Sequence, residues 1–288
     1  MAADDSEAFG AFAPGWFDRL VIGATQALPD NWLGLRLAIL LRRAVTMRLA
    51  YPAGALDIER WGLKMRLHPR DNGCEKNLLF TPQMYEPTEL RELGADIDRA
   101  AQRKAPFVFV DIGANVGLFS LFVAAHAGPD ARIFAVEPEP GNLRRLSFNA
   151  GANPGVPIKI CPIALSDEPG ELAVELDRRD RGGSRTLRIA ESEAPATAVR
   201  VASQTLWQLL TSERVEAVDA LKIDVEGFED VILGPFFRQA PRAMWPRLVI
   251  IEDCRSSWKT DLISIMRKKG YALVGRSKLN FILRIAPA

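Results

Sequence analysis

From residue 106 onward, short apolar runs alternate with stretches of helical spacing. FVFVD (107–111) reads as a buried strand and the sequence from Gly117 as a helix. ARIFAVEP (131–138) and PGNLRRLSFNAG (140–151) repeat that pair, and VPIKICPIA (156–164) and ELAVELD (171–177) add two strands. The polar, glycine-bearing stretch 177–197 predicts an exposed loop. AVRVA (198–202) then pairs with a helix over QTLWQLL (204–210), in which Trp207 is expected to face the core. DALKIDVEG (219–227) precedes a helix at FEDVILGPFF (228–237), and PRLVIIED (246–253) precedes one at 257–270. YALVGR and NFILRI close the chain as a hairpin. Repeated strand-then-helix order predicts a doubly wound, mostly parallel α/β sheet, and the closing hairpin an antiparallel strand at one edge.

The first hundred residues break this rhythm and read as an extension covering the mouth of the sheet. DIERWGLKMRLHP (57–69) alternates like a hairpin, and residues 71–101 end in a charged helix. In NWLGLRLAILLRRAVTMRLA (31–50), Arg36, Arg42 and Arg43 interrupt the apolar residues. No run approaches the roughly 20 apolar residues of a spanning helix. Two readings stay open: a helix packing its leucine face on the main domain, or one lying on a membrane surface with its arginines towards headgroups.

Composition adds exclusions. The 288 residues carry a formal net charge of +1, which gives no global pull towards nucleic acid. Cys74, Cys161 and Cys254 are scattered without a CxxC pair, which argues against a disulfide framework or zinc ribbon and for a reducing compartment. Only His68 and His126 are present, so no metal site is expected. The acidic start MAADDSEAFG is unlike a signal peptide. The expectation is a cytoplasmic protein, with contact at the inner membrane face if 31–50 lies on lipid.

The chemistry concentrates at three strand ends. VDIGANVG (110–117) places Asp111, Gly113, Asn115 and Gly117 in a strand–turn–helix, the entry to a nucleotide-type site. Its D-x-G-x-N-x-G spacing departs from the G-x-G-x-x-G that cradles pyrophosphate. An anionic Asp111 repels phosphates and attracts a cationic ligand such as S-adenosylmethionine, while the glycines let backbone approach the ligand closely. Glu137 lies 20 residues past Gly117 at the end of IFAVE, where a carboxylate accepts ribose hydroxyls of either kind of adenosine cofactor. In LKIDVEGFED, Asp224 and Glu226 stand two apart at a strand's carboxyl end, hence on one side. Burying such a pair requires a partner, for example a sulfonium or a basic group. For Glu226 the alternative is a cap on the following helix.

VDIGANVGLFS, IFAVEPEPGNLRRLSFN, PIALSDEPGEL, TLWQLL, LKIDVEGFEDVILG and LVIIE occur in the order seen in FkbM-type methyltransferases, and the chain resembles that family over roughly residues 75–285. The resemblance implies the seven-stranded sheet of the Class I S-adenosylmethionine-dependent methyltransferases over 75–288, preceded by an extension over 1–74. It also implies a methionine site lined by Asp111, Gly113, Ala114, Asn115 and Gly117, and ribose contacts from Glu137 with Pro138 and Asn142 beside it. Ala164 and Leu165 would flank the adenine, Asp224 would stand by the reactive methyl, and Tyr85 and Glu86 would close over the cofactor.

The expected reaction is methyl transfer to a hydroxyl, with Asp224 or Glu226 accepting its proton. Family likeness points to glycans, glycolipid heads or secondary metabolites as acceptors, and no nucleic acid. Arg178, Arg179, Arg181 and Arg185 crowd the polar loop and suit phosphate or sugar-acid groups, unless the loop is merely a solvated one. The competing readings are an NAD-linked oxidoreductase, a non-catalytic S-adenosylmethionine-binding module, and a metal-assisted methyltransferase using Asp224, Glu252 and Asp253.

Overall fold

The computed structural model describes residues 7–49, 54–175, 185–187 and 198–286. Helices α1 (Trp16–Gln26) and α2 (Trp32–Thr46) form an antiparallel pair, followed by the hairpin β1 (Leu56–Arg60) and β2 (Leu63–Leu67). Asn31 caps α2 by accepting the backbone N–H groups of Leu33 and Gly34. Gly34 is obligatory there, because a Cβ would sit 2.0 Å from the Pro29 carbonyl oxygen. Helices α3 (Gly73–Phe80) and α4 (Pro87–Gln102) lead into the central sheet.

The next elements alternate: β3 (Val108–Ile112), α5 (Leu118–His126), β4 (Arg132–Val136), α6 (Pro140–Gly151) and β5 (Ile158–Cys161). A second group follows as β6 (Ala164–Ser166), β7 (Gly170–Glu175), β8 (Arg185–Leu187), β9 (Ala198–Thr205) and α7 (Leu206–Ser212). The chain returns to the central sheet through β10 (Ala220–Ile223), α8 (Glu229–Gln239), β11 (Leu248–Glu252), α9 (Leu262–Lys268), β12 (Tyr271–Arg276) and β13 (Asn280–Ile285).

The central sheet has seven strands in the order β12-β13-β11-β10-β3-β4-β5, and all its pairings are parallel except those of β13. The expected α/β architecture is therefore present, with one change. The antiparallel strand is not at the edge: β13 is inserted between β11 and β12, so the edge strand β12 runs parallel to the core strands. Period-two alternation divides the sheet's side chains between two faces. Phe109, Ile133, Leu248 and Ile250 pack with Leu93, Ile97 and Leu121 on one side. Val110, Ile112, Leu221 and Ile223 pack with Leu209, Phe236 and Met266 on the other. Val21, Val45, Leu56 and Met65 join the first of these cores, so residues either side of position 74 share one interior.

Four expectations need correction. The loop expected over 177–197 contains the strand β8, paired antiparallel with β7. The run 156–164 is two strands in different sheets: β5 stays in the central sheet, whereas β6 pairs parallel with β9 in a four-stranded sheet ordered β6-β9-β7-β8. The helix expected over 257–270 spans only Leu262–Lys268, because Asp261 caps it by accepting the Ser264 backbone N–H at 3.0 Å. In α7 the core is formed by Leu206, Leu209 and Leu210, and Trp207 is 37% exposed.

Candidate functional site

Strand order reverses between β3 and β10, and a cleft of about 430 Å³ opens at the carboxyl ends of β3, β4, β10 and β11. Asp111, the penultimate residue of β3, is buried and accepts the Ser120 hydroxyl at 2.7 Å and its backbone N–H at 3.1 Å. Burial pushes its carboxyl above the usual range, against the pull of Lys222 and Ser120.

Gly113 follows in the left-handed region at φ 75°, and a Cβ there would lie 1.9 Å from the Asp224 carbonyl oxygen. Only glycine permits the β3 turn to meet the β10 end so closely. Asn115, also left-handed at φ 53°, accepts from Asn72 Nδ2 at 2.9 Å. Its backbone N–H donates to Glu137 at 2.7 Å. Glu137 accepts the Glu139 backbone N–H on its other oxygen at 2.8 Å. Burial raises the Glu137 carboxyl to about 8, because two backbone donors offset only part of the desolvation. Glu139 caps α6 by accepting the Asn142 backbone N–H, which sets Asn142 at the cleft.

At β10 the regular strand stops at Ile223, so strand periodicity does not extend to Glu226, which sits at φ 56°. The buried partner that two acids require is Lys222, whose Nζ lies 2.9 Å from Asp224 Oδ2. Burial would lower the Lys222 ammonium, but Asp224, Asp111 and Glu86 outweigh it and hold the amine above its ordinary value. Burial would likewise raise Asp224, but Lys222 holds it below the usual carboxylate range. Glu252, at the end of β11, is raised to about 9 by burial and by Asp224, with which it shares a hydrogen bond. No side chain caps α8; its first residue, Glu229, instead ties down the preceding turn by accepting the backbone N–H groups of Val225 and Gly227 and the Trp258 indole at 2.6 Å.

The opposite wall comes from the extension: Gly73, Cys74, Asn77, Met84, Tyr85 and Glu86 line the cleft. Glu86 accepts from Asn280 Nδ2 at 2.8 Å. It is raised to about 7 by burial and by neighbouring Glu89.

The cleft thus gathers Asp111, Gly113, Ala114, Asn115, Glu137, Pro138, Asn142, Asp224 and Glu226, as well as Tyr85 and Glu86. Gly117, Ala164 and Leu165 stand outside its lining. Gly117 is a packing glycine, since a Cβ would lie 2.5 Å from Leu146 Cδ1, and Ala164 and Leu165 are buried in β6. Arg178, Arg179 and Arg181 lie outside the described residues, as does the side chain of Arg185. Of Asp224, Glu252 and Asp253, considered together for a metal, the first two line the cleft, whereas Asp253 does not and pairs with Arg255 at 2.7 Å and Arg276 at 3.2 Å. Lys222 was missed as a site group, and Glu252, considered only as a metal ligand, stands instead as a carboxyl hydrogen-bonded to Asp224. The signal for Lys222 was there, two residues before Asp224 in LKID.

Among the described lining residues seven are acids and one, Lys222, is a cation already committed to Asp224. No free cation among the described lining residues faces a pyrophosphate.

A family model described as the methyltransferase FkbM domain matches residues 111–273. A segment of 161 residues is 34% identical to the AMB antimetabolite synthetase AmbE of Pseudomonas aeruginosa, covering 44% of this chain and 8% of that protein. Among solved structures, monomeric WbdD is similar at 15% identity and a TM-score of 0.42, over 69% of this chain and 41% of that one. A SAM-dependent methyltransferase from Agrobacterium tumefaciens is similar at 12% identity and a TM-score of 0.43, over 81% and 70%.

Proposed function

Because this chain belongs to the FkbM methyltransferase domain family, we propose that it moves a methyl group from S-adenosylmethionine to a hydroxyl of a saccharide or glycolipid acceptor. The supporting observation is the cleft's composition: Asp111, Glu137 and Asp224 converge where the sheet order reverses, and the lysine among the described lining residues is already paired with Asp224, so it is not offered to a phosphate. Such a surface suits a cation-bearing ligand without phosphates. When bound, S-adenosylmethionine supplies a methyl carbon made electrophilic by positive sulfur.

The chain's own residues supply binding, orientation and proton handling. Asp111 and the close-set backbone at Gly113 suit the amino-acid portion, and Glu137 suits the ribose hydroxyls. Asp224 is tied to Lys222 and is a weak base, so its role is to hold charge beside the methyl. Glu86, raised to about 7 on the opposite wall, is better matched to accept the acceptor hydroxyl's proton at neutral pH.

Incubating the protein with methyl-labelled donor and separate glycan, glycolipid and small-metabolite fractions tests the reading. Label recovered as a base-stable methyl ether in a sugar-bearing fraction supports it. Label confined to amine or thiol products, or to a small metabolite, overturns the acceptor assignment.

A further inference from the structure

The α1–α2 pair does not pack as an amphipathic pair should. Small residues face inward on α2, where Gly34, Ala38 and Val45 are buried. The large apolar residues face water: Leu33, Leu37, Leu40 and Met47 are exposed, Leu40 at 62% and Met47 at 80%, with the small Ala44 exposed among them. Their 4-3-4-3 spacing sets them in one stripe along the helix. Of the two readings of this segment, packing of the leucine face on the main domain is not what α2 does; that face is presented outward. Trp16 (77%) and Trp32 (68%) add exposed indoles at the starts of the two helices. Arg48 stacks 4.7 Å over the Phe17 ring, which sets the end of α2 beside the start of α1.

An exposed apolar stripe of this length requires an occupant, and the charges select one. Residues 16–49 hold five arginines and two aspartates, and α2 itself holds Arg36, Arg42 and Arg43 with no acid. Arg36 and Arg43, seven apart, follow one edge of the stripe. A second copy of the helix would bring arginine against arginine, with none of the opposite charges that flank a paired seam. An anionic lipid surface complements both features, since leucines enter the acyl boundary, arginines meet headgroup phosphates and tryptophans sit at headgroup level.

We propose that the α1–α2 pair docks this protein on the surface of an anionic bilayer. No helix among the described residues is long and apolar enough to cross a membrane, so the docking is peripheral. The pair is also tied to the cleft. Gln26 Nε2 donates to the Leu79 carbonyl at 2.8 Å and Gln83 Nε2 to the Leu28 carbonyl at 3.0 Å, linking α1 to the segment that carries Met84 and Tyr85. A docked pair therefore ties one wall of the cleft to the membrane-bound helices, an arrangement suited to a lipid-borne acceptor. That last step rests on the glycolipid reading; the docking does not.

Vesicle flotation of the full chain tests it, comparing phosphatidylcholine alone with phosphatidylcholine plus phosphatidylglycerol. The protein should rise with the anionic vesicles only, and less so at high salt. The double variant Arg36→Gln, Arg43→Gln should lower partitioning by about thirty-fold. Leu40→Glu with Met47→Glu should lower it by more than about ten-fold. All four side chains are solvent-facing, so the melting temperature and S-adenosylmethionine binding should stay at wild-type levels. Failure of the wild-type chain to float overturns the proposal, as does a solution dimer that Leu40→Glu dissociates, which would make the occupant a second copy. Because flotation needs no acceptor, loss of the methyl-transfer reading leaves this result interpretable.

Discussion

Replacing Lys222 with Met would remove the one cation among the described residues of the cleft while keeping most of the side chain's volume. Lys222 is 7% exposed and its partner Asp224 34%. Breaking a fully buried pair costs roughly 3–5 kcal/mol, since the remaining charge is stranded. Asp224 keeps some contact with water, so screening reduces the expected loss to about 2–3 kcal/mol at pH 7.5. The pH dependence carries a sign. In the native chain Asp224 is held below its ordinary value, so its stabilising contribution is present above that value and fades only in acid. Without Lys222, burial governs Asp224 and raises it, so the variant should recover stability as pH falls and the carboxyl protonates. Urea unfolding at pH 7.5 and at pH 5 measures both, and the gap between the two proteins should narrow in acid. Adding Asp224→Asn should restore much of the loss, giving a clear coupling in a double-mutant cycle. A loss below about 0.5 kcal/mol, or a gap independent of pH, would refute the buried pair.

Three other outcomes follow from the same site. Glu137 sits near 8 in the free protein, and a ribose donating to its ionised form favours release of its proton. S-adenosylmethionine affinity should therefore climb from pH 6 to about 8 and then level, and Glu137→Gln should flatten that slope and weaken binding about ten- to hundred-fold by calorimetry. Gly113→Ala forces a Cβ to 1.9 Å from a backbone oxygen at a left-handed φ; cofactor binding should disappear and the melting temperature fall. Glu86→Gln should lower kcat by about 10²- to 10⁴-fold with little change in cofactor affinity. The wild-type rate should rise with pH through about 7, where Glu86 loses its proton, and the variant should lack that step.

The parts legible in the sequence were those governed by local pattern. Period-two apolar runs ending in acids located β3, β4 and β10, and the glycines after Asp111 marked the turn that meets β10. Long-range pairing was not legible. Nothing local distinguishes Ile158–Cys161 from Ala164–Ser166, yet parallel pairing of the latter with Ser203–Thr205 takes it into another sheet. The insertion of β13 between β11 and β12 is equally a matter of register between distant segments. At the site, Lys222 was hidden because a lysine within an apolar run reads as an interruption, although its spacing from Asp224 indicated a partner. On α2 the leucines could be read as a packed face, whereas the buried side is made of Gly34, Ala38 and Val45. Small residues give a weak hydrophobic signal even where they form the contact.

Titration calorimetry of the full chain with S-adenosylmethionine and, separately, with a nicotinamide dinucleotide tests the acidic cleft most directly. Saturable binding of the sulfonium compound that tightens as pH rises towards 8, with no heat from the dinucleotide, is the predicted result. Tight uptake of the dinucleotide with indifference to the sulfonium compound would contradict it.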